Sequence, residues 1–110
     1  MSISHAASGE LIDVRPLGDG FHDKASATLV RAEHLEVFRM ALPVGKVLQE
    51  HRASGTITIQ CIEGAVELEA HGGRQRMYPG SMVYLTDAEP HAVTALENSS
   101  LLITVLLHRA

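Results

Sequence analysis

The chain has 110 residues, of which 45% are hydrophobic and 20% charged. This size and composition indicate one compact domain and argue against a multi-domain enzyme. Thirteen acidic residues against nine basic ones give a net charge of −4, and Lys and Arg form no cluster, so neither nucleic acid nor an acidic membrane surface is expected as a partner. Seven histidines in a chain with two Tyr, two Phe and no Trp raise the question of whether the histidines do chemistry.

The first 25 residues are expected to form an N-terminal arm or lead-in strand, and residues 26–110 a single domain. Ser, Gly and Ala are frequent in the arm, and Pro16, Gly18 and Gly20 break regular structure there. The arm lacks the basic start and long apolar core of a secretory signal, and the best apolar run, 101–107, is only strand-sized. The single cysteine, Cys61, leaves no disulfide framework. We therefore expect a cytoplasmic protein.

From residue 25 onward, short alternating segments are separated by turn residues. Segment 56–62 is β-branched and alternating, a period of two that buries one face of a strand. Gly72-Gly73 indicates a hairpin turn. The predicted strands are 27–32, 35–42, 56–62, 66–70, 74–78, 82–85, 91–96 and 101–108. Because no window has a helical period, the pattern predicts an all-β protein built as an antiparallel sandwich or small barrel.

Two segments carry more information than the strand pattern. Residues 45–64 fit G-x5-H-x-H-x3,4-E-x6-G at Gly45, His51 and Gly64, with Ala53 and Ile57 at the second His and the Glu. Residues 80–95 fit G-x5-P-x-G-x2-H-x3-N at Gly80 and His91, with Thr86, Ala88 and Ala95 at the other fixed positions. These segments resemble the two motifs of the cupin superfamily, over roughly residues 28 to 108. The resemblance implies a jelly-roll barrel, the antiparallel double-stranded β-helix, for residues 26–110.

The departures from the motifs bear on metal binding. Metal-binding cupins typically use three His and one carboxylate facing the barrel interior, but Ala53 and Ile57 replace two of these ligands here. The resemblance therefore carries over only His51 and His91 as metal ligands. Functional metal sites usually take three or more protein ligands. We expect no firmly held cofactor, with a weakly bound divalent ion (Zn, Fe, Ni or Mn) at the two histidines as the remaining option.

Alternation along the 56–62 strand places Ile57, Ile59 and Cys61 on the face where the family's carboxylate would point. Cys61 is the one soft ligand on that face. Two interpretations stay open for it: a thiol that faces a ligand, or a packed core residue, which is the commoner role of a free cysteine.

His51 and His91 fall at inward positions beside lost ligands that have become small or apolar. This combination predicts an apolar pocket with two polar points, a common form of small-molecule site. The predicted pocket residues are His51, Ala53, Ile57, Ile59, Cys61, His91 and Val93, with Phe38 and Met40 as further candidates. The other histidines are expected in solvated turns or termini: His5, His22, His34, His71 and His108.

The segment 101–107 also bears on assembly, because its apolar residues lie on both faces of the predicted strand. Each face of such a strand needs a cover. A second subunit could supply one cover, which predicts a two-fold homodimer. Alternatively, this is a central strand held between the barrel wall and the N-terminal arm.

Four functions remain open from the sequence. We take as the prediction that this cupin binds a small, mostly apolar organic molecule without catalysis. The alternative is a metal-dependent enzyme, of dioxygenase or isomerase type, with a reduced His51/His91 ligand set. Metal-free isomerisation or hydrolysis by the two histidines and a purely structural or regulatory dimer complete the set. The resemblance does not identify a ligand, since cupins host many functions on one scaffold.

Overall fold

The computed structural model describes residues 5–22, 25–51, 55–86 and 89–107, without the side chains of residues 49–51. The strands are β1 (Ala27–Arg31), β2 (Leu35–Leu42), β3 (Val47–His51), β4 (Gly55–Glu63), β5 (Val66–Ala70), β6 (Gly73–Met77), β7 (Met82–Leu85), β8 (His91–Ala95) and β9 (Ser99–Leu107). A single turn of 3-10 helix, Gly18–Gly20, precedes them. Within the described ranges, no helix has the length and apolar character needed to span a bilayer.

The strands form two antiparallel sheets. One sheet has the order β1-β2-β9-β4-β7 and the other the order β3-β8-β5-β6. Most neighbours are distant in sequence, as when β9 pairs with both β2 and β4, so the chain passes repeatedly between the sheets. This arrangement confirms the predicted all-β fold class, an antiparallel jelly roll.

Eight of the nine strands coincide, within a residue or two at their ends, with predicted ones. The exception is β3, which the sequence pattern does not indicate. It lies at a sheet edge and pairs only with β8, and such a strand needs less of the apolar alternation that identifies central strands. The predicted turn is also shifted by one residue. Its centre is His71-Gly72, with φ of 53° and 74°, while Gly73 pairs with Ala70 in the ladder.

Alternation along β4 and β9 builds the core. Ile57, Ile59 and Cys61 are buried on one face of β4 and lie opposite Val105, Ile103 and Leu101 of β9. Residues of the second sheet, such as Leu68 and Val93, pack into the same cluster. Complete burial of each large apolar side chain stabilises the fold by about 1.5–3 kcal/mol. The core therefore depends on the predicted two-residue alternation, which places these side chains in the interior.

The arm is attached to the outer side of the five-stranded sheet. The Ala6 N–H donates to the Leu29 carbonyl at 2.9 Å, and the Arg39 guanidinium donates to the Arg15 carbonyl at 2.9 Å. Glu63, at the end of β4, accepts the Leu17 and Gly18 N–H groups at 2.9 and 3.0 Å and the Ser100 hydroxyl. The lead-in segment is therefore an arm bonded to three strands.

Among the residues that the structure describes, the arm covers one end of this outer sheet face. Under it, Arg39 is 6% exposed and Ser100 is fully buried. At the other end of β9, Leu106 is 51% exposed, and Tyr84 on the edge strand β7 is 60% exposed. We call this uncovered region the open face. It consists of Leu35, Val37, Thr56, Thr58, Gln60, Met82, Tyr84, Leu102, Thr104 and Leu106.

A substitution at Gly64 can test how tightly the chain packs at the end of β4. Its φ is +83° and an added Cβ would overlap the Asn98 carbonyl oxygen and the Ser99 hydroxyl, whereas Gly45, with φ +86°, has open space at its Cβ position. Both Gly→Ala changes carry the backbone strain, about 1 kcal/mol, and Gly64→Ala adds overpacking of about 1–3 kcal/mol. Urea unfolding should show a clearly larger decrease in the free energy of unfolding for Gly64→Ala than for Gly45→Ala. Equal losses for the two variants would contradict the packing described here.

Glu63 makes the attachment of the arm depend on pH. Burial raises the pKa of Glu63, but the hydrogen bonds from Ser100, Leu17 and Gly18 outweigh it, so the pKa lies below its usual value. Below the usual pKa of Glu, about 4.3, the unfolded chain therefore binds more protons than the folded chain. The hydrogen bonds to the Glu63 carboxylate stabilise the fold above this pH, and their contribution is lost as the pH falls through the folded pKa.

We therefore expect the stability advantage of the wild type over Glu63→Gln to shrink between pH 6 and pH 3. The measurement is the free energy of unfolding at each pH, with Glu67→Gln on β5 as a control for the loss of one charge. An advantage that stays constant over this range would show that the Glu63 carboxylate does not hold the arm.

Candidate functional site

A cavity of about 60 Å³ lies between the two sheets. Strands β2, β3, β4, β8 and β9 each contribute to its walls. The described lining residues are Phe38, Met40, Leu48, Ile57, Ile59, His91, Val93, Leu101, Ile103 and Val105. Nine of these ten side chains are apolar, so the part of the wall that the structure describes carries one polar group, the imidazole of His91.

His91 is the first residue of β8 and is 3% exposed. Its Nδ1 lies 3.1 Å from the backbone carbonyl oxygen of Glu89. Because a carbonyl oxygen only accepts hydrogen bonds, Nδ1 carries the proton, and in the neutral ring the lone pair is then on Nε2. In this tautomer Nε2 is the nitrogen of the ring that accepts hydrogen bonds.

The cavity brings together four of the predicted pocket residues: Ile57, Ile59, His91 and Val93. Phe38 and Met40 also line it, as the sequence indicated. His51 ends β3 directly opposite His91 in the β3–β8 ladder, but its side chain is not among those described. Ala53 lies outside the described residues.

Cys61 is buried but does not line the cavity. Its sulfur lies 3.5 Å from the backbone carbonyl oxygen of Glu63, to which the thiol donates a hydrogen bond. The structure thus gives Cys61 the core-packing role, the second of the two interpretations left open by the sequence. It also shows lining residues that the sequence did not identify: Leu48, Leu101, Ile103 and Val105. Leu48 lies on the strand that was missed, and alternation in β9 could have indicated the other three.

The donor set does not fit the metal centre that the cupin resemblance implies. At the position of the carboxylate, the apolar side chain of Ile57 is buried and forms part of the cavity wall. Among the described residues, no three His, Cys, Asp or Glu side chains lie close enough together to hold an ion. With Ile57 in place of the carboxylate, the complete three-His-one-carboxylate set is not present, and the polar group that the described part of the wall offers is His91.

The other described histidines, His5, His22, His34 and His71, are exposed, as predicted. His108 lies outside the described residues. His71 has a specific contact, because its backbone N–H donates to the Glu89 carboxylate at 3.2 Å and its Nδ1 lies 3.4 Å from the same group. Glu89 therefore contacts the β5–β6 turn through its side chain and His91 through its carbonyl, and it links the surface turn to the cavity.

No family model and no curated protein matches the chain. Solved structures do. A conserved protein of unknown function from Streptococcus pyogenes matches with a TM-score of 0.78 and 23% identity over 100% of both chains. A cupin superfamily protein from Desulfitobacterium hafniense gives 0.73 and 13% identity over 76% of each chain. KdgF from Halomonas sp. gives 0.70 and 22% identity, over 76% of this chain and 78% of that one.

These likenesses, together with the two wrapped antiparallel sheets, show that the chain has the cupin fold. Because the sequence identities are 23% or less, these similarities establish the architecture alone. What is particular to this chain is the interior of the barrel: a small cavity with an apolar described wall, His91 as its polar group, and Ile57 where a metal-binding cupin has a carboxylate.

The position of Cys61 predicts a protected thiol. Burial raises the pKa of Cys61, and only the thiolate reacts with disulfide reagents. In native protein at pH 8, we expect Cys61 to react with a chromogenic disulfide reagent at least about tenfold more slowly than in denaturant. The control is Met82→Cys in a Cys61→Ala background, which places the thiol at an exposed site. Native Cys61 that reacts as fast as this control would contradict the burial.

Proposed function

We propose that the protein binds a small, mostly apolar organic molecule inside the barrel, with the polar group of the molecule against His91. The observation that carries this proposal is the cavity, whose described wall has nine apolar side chains and one imidazole. Small-molecule sites have this composition, because apolar walls supply affinity and a few polar groups set the orientation. An imidazole that accepts through Nε2 favours a ligand with a hydrogen-bond donor, such as a hydroxyl or amide.

The cavity volume limits the ligand. An engineered apolar cavity of about 150 Å³ accommodates benzene, whereas this cavity measures about 60 Å³. Scaling by volume, the part of the ligand enclosed by the described wall has about two or three heavy atoms. Aromatic rings are therefore excluded unless the side chains of the wall move. The proposed ligand is a short-chain molecule, or a longer one that inserts only its end.

The proposal can be tested by NMR titration with primary alcohols, from methanol to 1-hexanol. We expect saturable shifts at amides of β4, β8 and β9, with affinity that rises over the first members and stops rising at about two carbons, because two carbons and the oxygen fill the enclosed volume. His91→Leu should weaken the binding of 1-propanol severalfold, because the hydroxyl loses its acceptor. The loss of one such hydrogen bond costs about 1 kcal/mol. His34→Leu, which changes an exposed histidine, is the matched control and should bind as the wild type does.

The titration also has outcomes that would overturn the proposal. One is the absence of saturable shifts with every alcohol. Another is a set of shifts outside the cavity strands that His91→Leu leaves unchanged. Proton spectra of both histidine variants, compared with the wild type, establish that each one is folded.

A second candidate is a metal-dependent enzyme of dioxygenase or isomerase type with His51 and His91 as its reduced ligand set. The register of β3 and β8 supports it, because His51 and His91 are directly opposite each other in the ladder. Elemental analysis of protein purified without an affinity tag or chelator separates the two candidates. The binding proposal expects well under one Zn, Fe, Ni or Mn per chain, whereas stoichiometric metal that His91→Leu removes would favour the enzyme.

We propose the cytoplasm as the setting for this binding role. The one cysteine is free and buried, which suits a reducing compartment. The net charge of −4 and the scattered basic residues give no polybasic segment of the kind that holds proteins at anionic membranes.

A further inference from the structure

A groove of about 540 Å³ lies between the arm and the outer side of the five-stranded sheet. The charged side chains in its lining are Asp13, Arg15 and Arg39. The groove is separate from the cavity between the sheets. Phe38 and Met40, the neighbours of Arg39 in β2, line that cavity, and alternation along the strand turns Arg39 to the opposite side of the sheet.

Arg39 is a buried cation whose hydrogen-bonding groups are only partly used. The residue is 6% exposed. Its Nη2 donates to the Arg15 carbonyl at 2.9 Å, whereas Nη1 is buried and has no acceptor among the described residues. A buried donor without a partner is unfavourable, and more so when it belongs to a charged group. Nη1 therefore marks a position that is suited to an added acceptor.

The carboxylates near Arg39 bond to other groups. Asp13 accepts two side-chain hydrogen bonds from Arg15, at 3.0 and 2.8 Å, and Glu63 accepts from the arm backbone and from Ser100. Both are close enough for the charge of Arg39 to act on them, but neither of these two described carboxylates bonds to its guanidinium. Asp13 and Arg15 thus compensate each other in the groove, and Arg39 remains as a cation with a donor to offer.

We propose that the groove binds a small organic molecule with a single carboxylate, which accepts hydrogen bonds from the Arg39 guanidinium. A planar guanidinium matches a carboxylate through two parallel hydrogen bonds. A second negative charge on the ligand is disfavoured, because Asp13 lines the same groove. The carbon body of the ligand lies against the apolar part of the lining. This part consists of Pro16, Leu17, Ala25, Ala27 and Leu29.

The size of the groove suits a ligand larger than the one proposed for the cavity. Small-molecule pockets measure about 300–1,000 Å³, so the groove has room for a carboxylate with a short chain or one ring. Because Nη1 of Arg39 is buried, binding involves a local shift of the arm. The carboxylate replaces the Arg15 carbonyl at Nη2 and reaches Nη1 as well, so both terminal nitrogens gain a charged acceptor.

An amide NMR titration with hexanoate in low-chloride buffer tests the proposal. Hexanamide is the uncharged counterpart of this probe, and adipate adds a second carboxylate at the other end of the chain. We expect saturable shifts in the arm and in β1 and β2. The affinity for hexanoate should be at least about tenfold higher than for hexanamide, because hydrogen bonds between charged groups are the stronger ones, and adipate should bind severalfold more weakly than hexanoate.

Arg39→Met keeps a long side chain but removes the cation, so it should lose the preference for hexanoate over hexanamide. Arg74→Met is the matched control, because it makes the same change on β6 at a side chain that is 69% exposed. It should bind hexanoate as the wild type does. Amide spectra without ligand verify that each variant is folded.

The comparison of the three probes uses the wild type alone, so it decides the question even if Arg39→Met does not fold. Hexanamide or adipate that binds as tightly as hexanoate would refute the proposal. Shifts confined to β4, β8 and β9 would refute it too, since hexanoate would then occupy the cavity beside His91. Hexanoate binding that Arg39→Met and Arg74→Met leave equally strong would show that Arg39 does not hold the carboxylate.

Discussion

The two-residue alternation of β4 and β9 is the constraint on which the rest of the molecule depends. One set of alternate residues, including Ile57, Ile59 and Ile103, forms the core and the cavity wall, while the other set, including Thr58 and Leu106, faces outward. A slip of one residue in the register would exchange the two sets. The apolar cavity and the uncharged outer face are therefore two results of the same pattern.

The interior that this alternation creates is small and apolar, with His91 as the polar group of its described wall. Burial of an imidazole is costly unless its nitrogens find partners, and the bond from Nδ1 to the Glu89 carbonyl supplies one. That bond also fixes which nitrogen can accept. Because Ile57 stands where the motif has a carboxylate, we propose an apolar ligand oriented by one hydrogen bond and not a coordinated metal ion.

The fold was predictable because its signals are local. Turn glycines such as Gly64 and alternation in segments such as 56–62 predicted eight strands in an antiparallel sandwich or barrel, and the resemblance of the two motifs to cupins implied the jelly roll. β3 was not predictable, because an edge strand needs little alternation. The cavity was predictable in part: Ile57 and His91 lie where the motifs placed them. Leu101 and Ile103 join them only through the long-range register of β9. Cys61 lies on the same face of β4 as Ile57 but outside the cavity, where its thiol donates to the Glu63 carbonyl.

We propose that the cavity beside His91 takes a small organic molecule and holds no resident metal. The most direct measurement is a high-resolution crystal structure of protein purified without tag or chelator, with anomalous data at the Zn, Fe, Ni and Mn edges. We expect density for a short organic molecule within hydrogen-bond distance of the His91 imidazole, and no anomalous peak. A fully occupied metal ion bound to His91 would contradict it.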